Sequence, residues 1–178
     1  MECTSAETVV FTDISSAAAY SAVSDRKHSE ESLRRICDFW RQQGGNAIDE
    51  RGNTLLHFLA IYDNTVALER LLEKGLLMSQ DLRKANQKGN TPLHEAARLG
   101  WKKFAGILRD EDEDLVLARN HKGETPIYVA VKCGNGEVFC LFYEKFRSES
   151  AMTRFDGRTV LHAAVTEEYY CKSGRYLY

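Results

Sequence analysis

Three histidines at recurring places in the chain are the first residues that could carry chemistry. Neutral imidazole binds zinc and titrates near neutral pH, so His57, His94 and His162 could serve as metal ligands or proton carriers. If successive segments stack side by side, however, these side chains lie on separate helices about 8 to 10 Å apart. That is too far to share one zinc ion at about 2 Å from each ligand. We expect them to tie helix starts to loops by hydrogen bonds, and we predict no metal site.

Cysteine usage argues against a disulfide framework and against a catalytic thiol. The chain has five cysteines, an odd number, and no Cys-x-x-Cys pair, which favours reduced thiols in a cytosolic or nuclear setting. Cys133 and Cys140 are close in sequence, but no nearby His–Asp arrangement would activate either one. We interpret both as buried or half-buried thiols, and we predict no catalytic residue and no cofactor.

Two further segments resemble ligand loops only in composition. Residues 110–114 are five consecutive acids, which we interpret as a solvated loop because like charges repel and stay exposed; a contact for a basic partner is the alternative. The run lacks the alternating ligands and central glycine of a calcium loop. Residues 134–136 are glycine-rich but lack the spacing and lysine of a phosphate loop. The sequence therefore predicts a protein that is not an enzyme.

The composition indicates a protein with a sizeable core and a nearly balanced charge. Of the 178 residues, 43% are hydrophobic and 28% are charged, and the net charge is −2. A nucleic-acid binder usually has a strong basic excess, and no apolar stretch approaches the roughly 20 residues that cross a bilayer. We therefore expect neither nucleic-acid contact nor direct membrane contact from this segment. Glu2 and Glu7 also stand where a secretory signal would be positive, which favours a cytoplasmic location.

A block of six residues occurs four times and places the histidines within a repeat. The blocks begin at Gly52, Gly89, Gly123 and Gly157, and their threonines are 37, 34 and 34 residues apart. An Asp or Asn stands three residues before the first three glycines, and this pairing is typical of turns that need a positive φ. The recurring residues within the blocks are Thr54, His57, Thr91, Pro92, His94, Thr125, Pro126, Thr159 and His162.

Each block is expected to begin a helix, and a second apolar helix follows it. A threonine hydroxyl caps the first helical turn, and Pro92 and Pro126 fall at the first helical position, where a missing N–H costs nothing. Apolar residues at helical spacing then predict the second helix of each pair. Residues 17–25 and 31–43 predict one more helix pair, which lacks the block.

The segment 91–96, Thr-Pro-Leu-His-Glu-Ala, resembles the ankyrin signature Thr-Pro-Leu-His-x-Ala without a mismatch. This resemblance implies an all-α solenoid of stacked helix pairs joined by turns, and a role in protein–protein interaction. The domain boundaries that follow are a disordered N-terminus at 1–12, a degenerate N-terminal capping repeat at 13–48, ankyrin repeats at 49–168 (49–85, 86–119, 120–153 and an incomplete 154–168), and a tail at 169–178 that we interpret as a truncation.

The predicted function is that of an interaction scaffold or adaptor. Linkers rich in Leu and Asn, as in 114–126, resemble more narrowly a group of plant ankyrin proteins associated with stress and defence signalling. Longer members of that group end in a membrane region with a Pro-Gly-Gly motif, which would place the full-length protein at the cytoplasmic face of a membrane. Two alternatives stay open: the ankyrin portion of a multi-pass membrane signalling or transport protein, and the substrate-reading part of a ubiquitin ligase.

In such a solenoid the turn tips and first helices line one side and would contact the partner. The mixed charge of the residues at the tips predicts a protein partner rather than a polyanion. The candidate partner contacts, expected to be exposed, are Glu50, Arg51, Asn53, Gln87, Lys88, Asn90, His121, Lys122, Glu124 and Arg158.

Overall fold

Paired helices make up the part of the chain that the computed structural model describes, residues 14–25, 28–143 and 152–166. The predicted all-α class is confirmed, since these residues contain no β-strand and only isolated bridges pair Ala47 with Thr54 and Thr153 with Thr159. The helices are α1 (Ile14–Val23), α2 (Glu30–Gln43), α3 (Leu55–Ile61), α4 (Thr65–Glu73), α5 (Ser79–Leu82), α6 (Pro92–Leu99), α7 (Lys102–Glu111), α8 (Pro126–Lys132), α9 (Gly136–Tyr143) and α10 (Val160–Thr166), with a 3-10 helix at Glu113–Leu117.

The helices lie in two rows. In the inner row, α1, α3, α6, α8 and α10 contact one another in that order. In the outer row, α2, α4, α7 and α9 do the same, and each outer helix also packs on the inner helix that precedes it. This is the solenoid of stacked helix pairs that the repeated blocks predict.

Local sequence explains where an inner helix begins and ends. In α6, Thr91 is the N-cap residue in an extended conformation, and Pro92 follows at the first helical position. The helix ends at Gly100, whose φ of 82° lies in the left-handed region that glycine enters without steric cost. After α3 the equivalent residue is Asp63, with a φ of 52°. A short polar side chain tolerates this conformation better than most others.

One continuous hydrophobic core runs between the two rows from Ala19 in α1 to Phe142 in α9. Fully buried residues such as Leu56, Leu93 and Phe104 fill it. Burying a side chain of this size contributes about 1.5 to 3 kcal/mol. Because the core is shared between neighbours, each pair depends on the next one for its stability.

The N-terminal helix pair joins this core without a turn block of its own. Its apolar residues Leu33, Ile36 and Trp40 are buried. The Trp40 Nε1–H donates to the Leu76 carbonyl at 2.8 Å, and the Asn64 amide donates to the Val23 carbonyl at 3.0 Å. These bonds connect α1 and α2 to the pair that follows them.

Four of the five acids at 110–114 are exposed, as their charge predicts, but the run is helical rather than a loop. Its first two residues end α7, and Asp112 caps the 3-10 helix by accepting from the Asp114 N–H at 3.2 Å. The Asp112 side chain is only 8% exposed because the Arg83 guanidinium binds it, with Nη2 to Oδ1 at 2.7 Å. A cation 29 residues earlier in the chain thus shields Asp112, while the other four acids stay exposed.

The predicted boundaries of the repeats stay predictions. The expected disorder of 1–12 and the expected tail at 169–178 lie outside the described residues, as does part of the linker between α9 and α10. Within the fourth repeat, the structure describes α10.

Candidate partner-binding surface

Four turns of five residues, which we call the turn tips, precede α3, α6, α8 and α10. Each of the first three opens with Asp or Asn, whose side-chain oxygen accepts two backbone N–H groups of the same turn. Asn86 Oδ1, for example, accepts from Lys88 N at 2.9 Å and from Asn90 N at 3.1 Å. These bonds fix the turn backbone, as its polar spacing predicts. The turn tips are residues 49–53, 86–90, 120–124 and 154–158.

Neighbouring turn tips are joined through their backbones. Gln87 N donates to the Arg51 carbonyl at 2.9 Å, and His121 N donates to the Lys88 carbonyl at 3.1 Å. The fourth turn opens with Arg154 instead of Asn, and its Nε donates to the preceding tip at 3.2 Å. The tips therefore form one continuous edge.

The glycine of a turn tip leaves room for the next tip. Gly89 has a φ of 75°, and a Cβ atom built on it would lie 2.6 Å from the backbone nitrogen of His121. A Cβ on Gly123 would collide with the Phe155 ring in the same way. Glycine is thus required both by the backbone conformation and by the packing of successive turns.

Behind the tips, side-chain amides of asparagine residues form a series of hydrogen bonds. One residue of this series, Asn53, is predicted from the sequence to be an exposed contact. Asn53 Nδ2 donates to Asp49 Oδ2 at 2.8 Å, and Asn86 Nδ2 donates to Asn53 Oδ1 at 2.9 Å. Asn120 Nδ2 donates to Asn90 Oδ1 at 3.0 Å. Asn53 is only 8% exposed, so its expected exposure is wrong. Its amide oxygen accepts a hydrogen bond from Asn86 of the neighbouring repeat instead of facing the solvent.

Glu124 is likewise buried, with 4% exposure, although the sequence predicts an exposed contact. Its carboxylate accepts from Lys132 Nζ at 3.0 Å and from Asn120 Nδ2 at 3.2 Å. Burial acts to raise the pKa of Glu124, but these two donors outweigh it and hold the pKa below its ordinary value. Glu95 has the same arrangement one repeat earlier, bound to Asn90 at 2.8 Å and Arg98 at 2.9 Å.

The two central histidines bridge neighbouring repeats through both ring nitrogens. His94 Nδ1 lies 3.1 Å from Thr91 N and 2.9 Å from Thr91 Oγ1, while Nε2 lies 3.0 Å from the Glu124 carbonyl. His57 makes the same contacts with its own threonine and, at 2.8 Å, with the Asn90 carbonyl. Because a carbonyl can only accept, Nε2 carries the proton and Nδ1 accepts.

Burial keeps these histidines neutral, and their hydrogen bonds occupy the ring nitrogens that a metal would need. It lowers the pKa of His94 from 6.5 to about 4, against the opposing effect of the Glu124 carbonyl. It lowers the pKa of His57 as well. With both nitrogens occupied, neither imidazole has a lone pair available for a metal.

The remaining blocks vary this arrangement. Tyr128 replaces histidine in the third block, and there the Thr125 hydroxyl accepts from the Tyr128 N–H at 3.2 Å. His162 in the fourth block keeps the bonds to its threonine, with Nδ1 at 3.2 Å from Thr159 N and 2.9 Å from Oγ1. Unlike the earlier two histidines, His162 is exposed.

Six of the ten predicted contact residues lie exposed at the tips, and Arg51 and Asn90 are half-buried. Sequence reasoning missed Phe155, which is 73% exposed in the fourth tip, with the Arg119 guanidinium 5.2 Å from its ring centre. Its position in the turn, two residues before Gly157, matches that of the predicted contacts Glu50, Gln87 and His121 and is a signal that could have found it. We call this set the turn-tip surface: Glu50, Gln87, Lys88, His121, Lys122, Phe155 and Arg158.

Comparison with known proteins decides the family. A model of the family described as ankyrin repeats, in three copies, matches residues 20–118, which is more than half of the chain. The chain belongs to the ankyrin-repeat family. The match begins within α1, so it includes most of the N-terminal helix pair.

Curated relatives of this ankyrin-repeat chain are much longer proteins. It is 32% identical over 143 residues to neurogenic locus notch homolog protein 1 of Mus musculus, covering 78% of the chain and 5% of the relative. It is 24% identical over 131 residues to a putative ankyrin repeat protein of Acanthamoeba polyphaga mimivirus, covering 69% and 16%. It is 34% identical over 120 residues to a transient receptor potential cation channel subfamily A member 1 homolog of Caenorhabditis elegans, covering 66% and 9%.

Membership in the ankyrin-repeat family makes this chain a protein–protein interaction module of a typically non-catalytic kind. Burial raises the pKa of the Cys37 thiol, the opposite of what a nucleophile needs. In the part of the chain that the structure describes, His, Cys, Asp and Glu side chains form no group of three able to hold a metal ion. None of the helices within that same part has the length and apolar character needed to cross a membrane.

Proposed function

We propose that this chain is an interaction scaffold that binds a partner protein through the turn-tip surface. The observation that carries the proposal is the fixed backbone of that surface. Every described tip is bonded to its neighbour, and the inward polar groups of the first three are hydrogen-bonded among themselves. A rigid backbone that presents outward side chains loses little conformational entropy on binding, which favours affinity.

The dimensions of the solenoid suit an ordinary interface. Four to five stacked units at about 10 Å each extend roughly 40 to 50 Å. An edge of this length offers the roughly 800 Å² per partner that a specific complex buries. The biological role that we attach to this binding is that of an adaptor in signalling, with plant stress or defence as the setting that the narrower resemblance implies.

Site-specific photo-crosslinking tests which surface contacts the partner. A photoreactive phenylalanine analogue replaces Gln87 in the turn-tip surface or, as the matched control, Lys102 on α7, and both proteins are irradiated in cell extract. We expect protein adducts from position 87 that position 102 does not give. The same adducts from both positions would remove the turn-tip surface from the proposal.

A second candidate is the ankyrin portion of a multi-pass membrane protein in signalling or transport. The similarity to a cation channel favours this candidate, since the chain matches only 9% of that relative. Translating the genomic sequence on both sides of the chain tests it. Apolar stretches of about 20 residues in the same reading frame would support it, and their absence would exclude it.

A further inference from the structure

Burial changes which charges of the predicted contact set a partner can reach. Of its charged members, Arg51, Lys88, Lys122 and Arg158 are basic, while Glu50 and Glu124 are acidic. Because the Glu124 carboxylate is buried against Lys132, it offers little charge to an approaching partner. The side that remains accessible is predominantly basic, although the whole chain carries a net charge of −2.

Two lysines dominate this basic edge. Lys88 and Lys122 occupy the same position in consecutive turn tips, and both are exposed. Neither ammonium group forms an ion pair with a described residue. Arg158, in contrast, already lies 3.8 Å from Asp156. The two lysines are therefore the cations that a partner reaches without displacing an existing ion pair.

The spacing of these lysines follows from the turn geometry. Each turn tip has two arms that are hydrogen-bonded to each other, as in the bond from Asn86 N to the Asn90 carbonyl at 2.9 Å. Backbone hydrogen bonds also join one tip to the next, as in the bond from His121 N to the Lys88 carbonyl. Hydrogen-bonded segments of this kind lie about 4.8 Å apart, so equivalent residues in consecutive tips lie about 10 Å apart. A peptide in the polyproline II conformation covers about 9 Å in three residues, and it places residues i, i+3 and i+6 on the same face.

The two ends of the edge differ in chemistry. The first tip carries exposed Glu50 beside half-buried Arg51, so it adds no net positive charge beyond Lys88. The fourth tip instead presents Phe155, a large aromatic side chain that is 73% exposed. Aromatic side chains, phenylalanine among them, are enriched in protein–protein interfaces relative to the rest of the surface.

We infer that the partner of the turn-tip surface is a protein segment in the polyproline II conformation with two acidic residues three positions apart and a large apolar residue three positions further on. The carboxylates pair with Lys88 and Lys122, and the apolar side chain packs against Phe155. This inference rests on the proposed function and specifies the chemistry of the partner. The sequence predicts only a protein partner, from contact residues of mixed charge, whereas burial removes Glu124 and leaves an accessible set that is predominantly basic.

A fluorescent synthetic peptide tests the inference directly. It carries glutamate at i and i+3 and leucine at i+6 in a Gly/Ser background, and its binding to the full chain is measured by anisotropy at low and high salt. The comparison probes are a peptide with the same composition in scrambled order, one with lysine in place of glutamate, and a single-stranded oligonucleotide. We expect the ordered acidic peptide to bind most tightly, and its affinity to fall with salt.

Charge variants locate the contact. Lys88→Gln plus Lys122→Gln is expected to weaken binding of the ordered peptide by about tenfold, because the variant loses two exposed ion pairs with the peptide. A further peptide carries serine in place of leucine at i+6; we expect it to bind the unsubstituted chain less tightly than the ordered peptide, and Phe155→Ala to remove that difference. The matched control is Lys102→Gln plus Lys103→Gln on α7, which removes the same charge elsewhere and should leave binding unchanged. Circular dichroism confirms that each variant is folded.

The outcomes separate this inference from the proposed function. Equal weakening by the α7 control, equal binding of the scrambled peptide, or tighter binding of the oligonucleotide would overturn the acidic-segment inference. If position 87 still crosslinks to a protein in that case, the scaffold function stands and its partner has another chemistry. Loss of the crosslinks together with retained peptide binding would instead contradict the scaffold function.

Discussion

At the scale of single residues, His94 shows how one side chain joins two repeats. Its ring accepts from Thr91 in its own repeat and donates to the Glu124 carbonyl in the next one. Both bonds need the neutral imidazole, because protonation would turn the accepting Nδ1 into a donor facing another donor. Stability is therefore linked to the protonation state of this histidine.

The pKa of His94 predicts how stability changes with pH. Because the folded pKa is lowered from 6.5 to about 4, the unfolded chain binds the proton more readily than the folded one. The contribution of neutral His94 to the free energy of unfolding is complete above pH 6.5. It is lost as the pH falls toward 4, and the total loss is on the order of 3 kcal/mol. Urea unfolding between pH 7.5 and about 4 measures it.

A His94→Gln variant serves as the control, because glutamine does not titrate while the carboxylates of the two proteins are the same. We expect the variant to be less stable at pH 7 and to have a shallower pH dependence over the window. Parallel curves for the two proteins would mean that His94 does not carry the effect, and His57, whose pKa is also lowered, would be tested next.

At the scale of elements, the glycine of a turn tip must adopt a positive φ and can also be required to leave room for the next tip. Gly89 and Gly157 have nearly the same backbone conformation, with φ values of 75° and 78°. A Cβ on Gly89 would meet the following tip at 2.6 Å, whereas a Cβ on Gly157 meets no described atom within 4 Å. The pair therefore separates backbone strain from the packing of consecutive tips.

Alanine substitution at these two glycines should give different losses of stability. Gly157→Ala costs about 1 to 2 kcal/mol, because an L-residue is strained at positive φ. Gly89→Ala carries the same strain and adds about 1 to 3 kcal/mol of overpacking against His121. Chemical denaturation of the two variants measures both values. Equal losses would show that the tips are not packed as tightly as the structure indicates.

At the scale of the whole molecule, stability depends on how many neighbours each helix pair has. Inner helix α6 packs between α3 and α8, and its Leu93 is fully buried. In α10, the equivalent Leu161 is 52% exposed and Val165 is 61% exposed. A repeat with one described neighbour shares less core than a repeat with two.

Hydrogen exchange should reveal this gradient along the solenoid. We expect the backbone amides of α6 to exchange only when the whole domain unfolds, at an opening free energy close to the global free energy of unfolding. The amides of α10 should exchange through local opening, at a lower opening free energy. Mass spectrometry of peptides that cover the two helices measures the difference. Protection of α10 as strong as that of α6 would indicate that something covers its exposed face.

The sequence by itself determined the repeat, the all-α class, the inner-helix starts and the positive-φ glycines. Each depends on residues a few positions apart, as in the Asn86 side chain that accepts from Lys88 N and Asn90 N. Only the tertiary structure decided that Asn53 and Glu124 are buried, that Asp112 is paired with Arg83, and that Phe155 is exposed. Those outcomes depend on groups roughly one repeat away in sequence, or on how neighbouring segments pack. Local spacing leaves such contacts open, and the accessible charge of the turn-tip surface follows from them.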